Sequence, residues 1–224
     1  ALVELPAGSD PSLVAHWKLD ETEGLDVADS SGYGNNGTLI GMDGTEWTAG
    51  IRDGALELAG GSAGTPKYVR FEDVSSLQLS DNATISAWVK MNEGNDGVYM
   101  GIAGKLVSGY YEGFALVRHA SNVFRLWCDD GEGNLAGHDA SSDDTYTDTE
   151  WHHLVGVMNG NTSTLYVDGV KQVQEGSVDL HDSGTYAHIG KQYSDDSSHR
   201  YWNGLIDDVR IYYRALSAQE IAGL

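Results

Sequence analysis

Two groups of oxygen-bearing side chains, near opposite ends of the 224-residue chain, have the types that a hard cation prefers. The first group is Asp20 with the polar loop from Asp29 to Gly37, and the second is the adjacent pair Asp207 and Asp208. Calcium takes about six to eight oxygen ligands from carboxylates, amide oxygens and backbone carbonyls. Both groups are therefore candidate calcium ligands, provided that the fold brings them together.

The pair Asp207 and Asp208 lies in a segment that predicts a strand, where adjacent residues point to opposite faces. Val209 and Ile211 alternate with Asp207. This alternation predicts that Asp207 shares their buried side and is the better ligand of the two. A simpler interpretation is that Asp207 pairs with a base such as Arg52, or caps a turn.

A second candidate chemistry is the binding of sugars by aromatic rings. The chain has 12 tyrosines and 6 tryptophans but only 3 phenylalanines, and rings with polar tips suit a partly exposed platform for a sugar. Alternation along Phe124–Asp129 gives one apolar face and one polar face, which is made of Arg125, Trp127 and Asp129. This polar stripe is a candidate ligand surface.

Other residues could complete a sugar site around Trp127. Alternation places His119 opposite Phe114 and Leu116, and two loops supply further groups at its rim: Tyr110, Tyr111, Tyr193, His199, Arg200 and Tyr201. The open alternative is that Trp127 merely covers the sheet, or that a loop packs over it. Core packing is predicted for four other tryptophans: Trp17, Trp88, Trp151 and Trp202.

Strands must position both candidate sites. Short β-branched and aromatic segments alternate with Gly, Asn, Asp and Ser clusters, which is typical of an all-β sandwich or barrel. The predicted strands are Val14–Leu19, Ala55–Leu58, Tyr68–Phe71, Ala83–Met91, Val98–Lys105, Gly113–His119, Phe124–Asp129, His152–Asn159, Ser163–Val167, Ala187–Lys191 and Gly204–Tyr213.

Two local motifs predict the connections. Asp168 and Gly169 form a dipeptide that favours the turn of a β-hairpin. Ser217 and Glu220 have the spacing of a capping box, so we predict one short C-terminal helix that packs through Ile221 and Leu224. No break in composition divides the chain, and we expect one domain over residues 13–224 after a linker or extension at residues 1–12.

The charge of the chain excludes several kinds of partner. It has 34 acidic residues against 13 Lys and Arg, a net charge of −21. Nucleic acid and anionic membranes are not expected partners, because binding phosphates requires clustered bases. Polyanions are disfavoured unless the fold creates a local basic patch. The single cysteine, Cys128, excludes an intrachain disulfide and is predicted to pack as a small apolar residue.

Seven segments, in order, match the pattern of one known family. They are Leu13–Glu21, Asp29–Leu39, Thr84–Lys90, Trp151–Val155, Leu165–Gly169, Ile206–Tyr212 and Arg214–Ser217. The chain resembles the bacterial laminin-G-like jelly roll of the concanavalin-A-like lectin/glucanase superfamily. The resemblance implies an all-β, two-sheet antiparallel jelly-roll sandwich, with one concave and one convex sheet and a short C-terminal helix.

The resemblance also implies a structural calcium ion at the edge of the sandwich. Asp207 matches the usual family ligand, and oxygens of the N-terminal loop complete the shell. The expected ligand set is Asp20, Asp29, Asn36, Gly37 and Asp207. Asp29 could equally be an ordinary Asx-turn residue in its Ser/Gly/Asn loop.

Three functions are compatible with this fold. The preferred one is a non-catalytic carbohydrate-binding module of a secreted or cell-surface protein, monomeric and attached to other domains, that binds a polysaccharide or oligosaccharide. An adhesion or protein-interaction domain is the alternative, and a glycosidase or polysaccharide lyase is the third. The E-x-D-x-x-E motif of the superfamily's glucanases is missing. His119, Arg118, Tyr110 and Tyr111 only imitate a lyase set, so we predict no catalytic residue.

Overall fold

The computed structural model describes residues 10–60, 66–72, 75–79, 82–107, 113–129, 139–178, 184–193 and 200–224. Within these residues the chain forms two antiparallel sheets that pack face to face, as the sequence predicts. The strands are β1 (Leu13–Trp17), β2 (Asp26–Val27), β3 (Gly37–Ile40), β4 (Trp47–Arg52), β5 (Gly54–Ala59), β6 (Tyr68–Phe71), β7 (Asn82–Met91), β8 (Met100–Leu106), β9 (Gly113–Arg118), β10 (Phe124–Asp129), β11 (Asp139–Ser141), β12 (Trp151–Asn159), β13 (Thr162–Val167), β14 (Val170–Lys171), β15 (Gly176–Ser177), β16 (His188–Ile189) and β17 (Asn203–Tyr212). A 3-10 helix covers Ser75–Leu77, and the helix α1 covers Ala218–Ile221.

Each sheet contains strands that are distant in the sequence. One sheet has nine strands, in the order β14-β13-β12-β7-β17-β5-β4, with β1 beside β17 and β15 beside β13. The other has eight, in the order β11-β10-β9-β8-β16-β6-β3-β2. The jelly roll therefore places the C-terminal strand β17 beside the N-terminal strand β1.

The core lies between the two sheets, and strand alternation supplies it. On β9, Leu116 is in the core, whereas Ala115 points to the opposite face of the sheet. Trp17 stacks on Phe71 across the two sheets, with ring centroids 3.9 Å apart. Cys128 is buried in the same core, as predicted.

The prediction for the four other tryptophans is half right. Trp17 and Trp202 are buried in the core, but Trp88 and Trp151 are only half-buried and lie on the outer face of the nine-stranded sheet. The reason is register: Ala87 supplies the core on β7, so Trp88 beside it points away. Trp88 stacks there on His153, with centroids 4.8 Å apart.

A β-bulge in β17 makes the predicted orientation of Asp207 wrong. Asp208 has φ 49°, and the register against β7 shifts between Asp207 and Arg210. A bulge inserts one extra residue and reverses the alternation beyond it. Ile206 therefore faces the core before the bulge and Val209 faces it afterwards, while Asp207 is buried on the opposite face.

Both local motifs form as predicted. Asp168 and Gly169 have φ 51° and 77°, the left-handed values that a two-residue hairpin turn requires. The Ser217 hydroxyl accepts from the Glu220 amide while the Glu220 carboxylate accepts from the Ser217 amide, which completes the capping box. None of the helices in the described ranges has the length and apolar character needed to cross a bilayer.

Candidate functional site

The eight-stranded sheet has an outer face that points away from the core. One row of residues crosses it at matching register: Trp127 on β10, Ala115 on β9, Gly104 on β8, His188 on β16 and Arg70 on β6. The neighbours Leu126 and Leu116 face the core instead. The polar stripe predicted on β10 is thus on the outer face.

Trp127 is not an open platform. Its ring is 6% exposed and belongs to a small apolar cluster with Leu106, Ala115, Val117 and Tyr193. Tyr193 is 4% exposed, and its ring centroid lies 6.5 Å from that of Trp127. A loop residue therefore packs over Trp127, which is the arrangement of the alternative interpretation.

Accessible polar groups lie beside this cluster. The Arg200 guanidinium lies 4.3 Å from the Tyr99 ring centroid and 5.6 Å from that of Tyr193. Its Nη1 donates to Gln192 Oε1 over 2.9 Å. The Tyr99 hydroxyl is hydrogen-bonded to His119 Nε2. The structure thus gathers the predicted residues His119, Tyr193 and Arg200 around one ring.

Sequence reasoning missed Tyr99 and Gln192. Tyr99 directly precedes β8. In the alternation along this strand it shares a face with Gly101, whereas Met100 and Ile102 face the core. This alternation is the signal that could have identified Tyr99. Gln192 lies in a segment that crosses β8, where a Cβ at Gly101 would stand 2.1 Å from the Gln192 nitrogen. Only glycine permits this close approach.

Burial and nearby charges act together on the pKa of His119. Burial, the Arg125 guanidinium and, more weakly, the Arg200 guanidinium lower this pKa, whereas Asp139 acts in the opposite direction. Arg125 itself pairs with Asp139 at 2.7 Å. The Nε atom of Arg125 is buried and has no hydrogen-bond partner.

The other half of the outer face holds a second group of rings and cations. Lys191 Nζ lies 4.5 Å from the Tyr68 ring centroid, and Tyr68 stacks on Tyr201 with centroids 6.2 Å apart. The Arg70 guanidinium covers the Tyr186 ring at 4.4 Å. Of this group, the sequence analysis had named only Tyr201.

His188 lies between the two halves. It is 1% exposed, and neither of its ring nitrogens has a hydrogen-bond partner in the described part of the chain. Burial, reinforced by the charge of Lys191, lowers the pKa of His188 to about 3, so the ring is neutral. Three predicted residues, Tyr110, Tyr111 and His199, lie outside the described residues, as does the side chain of Asp129.

The carboxylates of β17 lie across the molecule, on the outer face of the nine-stranded sheet. Asp207 is fully buried, and its Oδ2 accepts the backbone N–H groups of Ile51 and Arg52 over 2.9 and 2.8 Å. Its Oδ1 has no hydrogen-bond partner. Burial raises the pKa of Asp207 to about 6. Asp20 lines the same cavity, which has a volume of about 180 Å³.

Asp208 is saturated by bases. It accepts from His16 Nε2 over 2.7 Å and from Arg210 Nη2 over 2.9 Å, and Arg52 Nε lies 3.4 Å away. Burial alone would raise the pKa of Asp208, but the His16 hydrogen bond and the Arg210 charge hold it below its usual value. The base Arg52 therefore pairs with Asp208 through its side chain and with Asp207 through its backbone.

The other predicted calcium ligands are engaged within their own loop. Asp29 accepts from the His16, Ser31 and Asn35 amides and from the Ser31 hydroxyl. The bond from the Ser31 amide to Asp29 Oδ1 is the Asx-turn arrangement, and Asn36 Oδ1 accepts from the Asp29 amide.

Gly37 begins β3, where a Cβ would stand 2.3 Å from the Phe71 ring. Of the predicted set, only Asp20 and Asp207 meet. The described ranges contain no group of three or more His, Cys, Asp or Glu side chains placed to hold a metal.

Arg118 does not face the Trp127 side. Its side chain is fully buried and donates to the carbonyls of Asn95, Val98 and Tyr146 and to the Asn122 side chain. Arg118 thus anchors loops, and Tyr110 and Tyr111 of the lyase-like set lie outside the described residues.

Comparisons with known proteins agree with this architecture. A family model described as the concanavalin A-like lectin/glucanases superfamily, Laminin_G_3, matches residues 63–222. No curated protein matches the chain. Among solved structures, one similar fold is domain 4 of AbnA, a GH43 extracellular arabinanase from Geobacillus stearothermophilus, in complex with arabinotriose. Its TM-score is 0.69 at 20% identity, over 95% of this chain and 97% of that one.

Toxin binding domains have the same fold. The binding domain of botulinum neurotoxin DC in complex with SialylT gives a TM-score of 0.69 at 13% identity, over 95% of this chain. The binding domain of Paraclostridial Mosquitocidal Protein 1 gives 0.67 at 20% identity. This chain spans about half of each of these domains, 50% and 51%.

Proposed function

Because the chain belongs to the concanavalin A-like lectin/glucanase superfamily, we propose that it is a non-catalytic carbohydrate-binding domain of a secreted or cell-surface protein. Its ligand, an oligosaccharide or a segment of polysaccharide, binds on the outer face of the eight-stranded sheet. The arabinanase domain with the same fold was solved with arabinotriose, which supports a sugar as ligand. The domain is attached to other domains and acts as a monomer.

One observation carries this proposal: half-buried Tyr99 is flanked by Arg200 and His119. Sugar sites combine an aromatic face, which stacks on C–H groups, with a few fixed polar groups that bond hydroxyls. Arg200, His119 and Gln192 supply those polar groups. Trp127 and Tyr193 lie beneath and hold them in place, which limits the entropy lost on binding.

The test is a calorimetric titration, in which neutral and acidic oligosaccharides are added to the protein and the heat of binding is measured. Tyr99→Ala should weaken binding about tenfold, because a stacked ring in such a site is worth about 1–2 kcal/mol. Tyr213→Ala is the matched control, since Tyr213 is exposed and directly follows β17 of the other sheet. Sugar binding that is insensitive to Tyr99→Ala would overturn the location.

A protein-interaction domain is the second candidate. Two apolar side chains beside the edge strand β14 are open to solvent: Val170 is 63% and Val173 is 84% exposed. Paired exposed apolar residues at a sheet edge suit contact with another protein. Failure to bind any saccharide would favour this function over carbohydrate binding.

We also propose that Asp207 and Asp20 hold a structural calcium ion. The proposal rests on Asp207 Oδ1, a buried carboxylate oxygen that has no hydrogen-bond partner among the described residues. Asp207 and Asp20 line one small cavity, to which Lys18, Arg52 and Arg210 also contribute. A hard cation satisfies such an oxygen. The bound ion would link β17 to the segment after β1. Asp29, Asn36 and Gly37 are not ligands in this proposal.

Thermal unfolding in calcium and in EDTA tests the metal proposal. Calcium at 100 times its Kd should stabilise the fold by about 2.7 kcal/mol. Asp207→Asn should abolish that gain, whereas Asp43→Asn, in an exposed turn, should leave it intact. Equal melting temperatures in the two buffers would contradict the proposal.

A further inference from the structure

Arg200 differs from the other described arginines on this acidic chain in the partners it has. The other described arginines form ion pairs with carboxylates. For example, Arg210 pairs with Asp208 at 2.9 Å, and Arg214 pairs with Asp10 at 2.9 Å. Among the described residues Arg200 contacts two rings, the Gln192 carbonyl and the Tyr193 hydroxyl, with no carboxylate within 4.0 Å. Within the described ranges its positive charge therefore has no carboxylate partner.

The guanidinium is also held in one orientation. The rings of Tyr99 and Tyr193 lie beside the guanidinium, and Gln192 Oε1 accepts a hydrogen bond from one of its nitrogens. The residue is half-buried, so part of its surface is accessible. A planar guanidinium fixed in this way presents paired N–H donors, and two parallel N–H donors match the two oxygens of a carboxylate.

A second observation points to an acceptor-rich ligand. Gln192 is fully buried, and its Oε1 accepts from Arg200. Among the residues that the structure describes, neither Gln192 Nε2 nor Arg125 Nε on the same face has a hydrogen-bond acceptor. Buried N–H groups are nearly always paired in native proteins. Within the described part of the chain, Gln192 Nε2 and Arg125 Nε therefore share one face with Arg200 and lack acceptors, and Arg200 has no carboxylate partner there.

From these contacts we infer that the saccharide recognised at this face carries a carboxylate, as a uronic-acid residue does, and that Arg200 binds it. The inference rests on the proposed carbohydrate-binding function and names its ligand class. Tyr99 stacks on the sugar ring while Gln192 Nε2 donates to an acceptor oxygen next to the carboxylate.

The net charge of −21 limits the length of the acidic saccharide that can bind. A long polyuronate is repelled by the acidic surface around the site, whereas a short oligosaccharide meets mainly Arg200 and its neighbours. Since the screening length is about 10 Å at 0.1 M salt, added salt weakens the repulsion of the polymer. We expect polygalacturonate to gain affinity relative to trigalacturonic acid as salt rises.

The decisive experiment compares trigalacturonic acid with its trimethyl ester, two ligands that differ in charge but not in backbone. Calorimetry on the full chain should show the acid binding at least tenfold more tightly. Arg200→Gln should remove that preference, and Arg200→Lys should keep part of it. Lys171→Gln is the control, because it removes the same charge from an exposed pair on the other sheet.

Each outcome decides between the two proposals. Binding of the ester or of arabinotriose as tight as that of the acid would overturn the inference and leave the carbohydrate-binding function standing. A preference for the acid that survives in Arg200→Gln, with an unchanged melting temperature, would also overturn it. No binding of any of the three saccharides would overturn both the inference and the proposed function.

Discussion

The outer faces of the two sheets use arginine in opposite ways. On the nine-stranded sheet, Arg210 and Arg52 converge on the buried carboxylate of Asp208, and His16 completes the group. On the eight-stranded sheet, Arg200 lies against aromatic rings and a neutral amide. The guanidinium charge is balanced by a carboxylate on the first face, whereas Arg200 on the second face has no carboxylate partner among the described residues.

This difference separates stability from recognition. A buried carboxylate that accepts from several bases fixes the strands that carry them, and removing it leaves buried charges without a partner. A guanidinium held by rings contributes less to the fold but keeps its charge for a ligand. Substitutions in the first group should therefore lower stability and spare binding, and substitutions around Arg200 should do the reverse.

The largest expected effect is that of Asp208→Asn. Asn tolerates the left-handed backbone that Asp208 adopts, so the substitution removes the charge without adding backbone strain. Breaking a buried ion pair on one side costs about 3–5 kcal/mol. We expect the free energy of unfolding in urea, measured in EDTA, to fall by about 3 kcal/mol.

The matched control is Glu175→Gln, which removes a carboxylate from the exposed pair with Lys171 and should cost less than about 0.5 kcal/mol. Saccharide binding should be unchanged in both variants. A loss below 1 kcal/mol for Asp208→Asn would show that the bases on this face do not depend on it.

Trp127 tests the opposite face. Because its ring is covered by Tyr193, Trp127→Ala should create a cavity and cost about 3 kcal/mol. Trp127→Phe should cost less than about 1.5 kcal/mol and leave saccharide affinity within threefold. Loss of binding in Trp127→Phe at an unchanged melting temperature would show that the indole touches the ligand directly.

A smaller effect, with a definite pH dependence, is expected at His152. Its ring bonds Asp168 over 2.8 Å and Asp148 over 3.0 Å. Burial alone would lower the pKa of His152, but these two carboxylates raise it above the usual value. A histidine whose pKa is raised by folding contributes its full stabilisation below about pH 6.5, the pKa in the unfolded state. That stabilisation is lost as the pH rises through the folded-state pKa.

His152→Gln should therefore cost about 1 kcal/mol at pH 5.5 and less at pH 9, measured by thermal unfolding. His119→Gln gives the opposite sign, because burial and the nearby guanidinium groups lower the pKa of His119. Its cost should grow as the pH rises from the lowered folded-state pKa towards about 6.5, and should be constant above that pH. Equal costs of His152→Gln at both pH values would contradict the assignment of the ion pair.

Features that depend on neighbours in the sequence were predictable. The Asp168-Gly169 turn and the Ser217 capping box are set by two to four adjacent residues, and both form. The alternation along β10 correctly placed Trp127 and Arg125 on one face. The sequence left open whether the Trp127 ring is exposed or covered by a loop, because the covering ring of Tyr193 comes from a distant segment.

Features that depend on strand order were not predictable. His188 joins the outer face because β16 inserts between β8 and β6, a pairing that no local pattern encodes. Tyr99 and Gln192 meet Arg200 for the same kind of reason, through the segment that crosses Gly101. Asp207 was placed on the wrong face because a bulge changes the alternation without a distinctive sequence signal.

The bulge at Asp208 also bears on which insertions and deletions β17 can accept during evolution. If Asp208 were removed, Ile206, Val209 and Ile211 would still alternate into the core. The bulge residue is thus an insertion into a strand whose apolar pattern is complete without it. We expect a related chain without this residue to keep its core but to lose the carboxylate that holds His16, Arg52 and Arg210 together on the outer face.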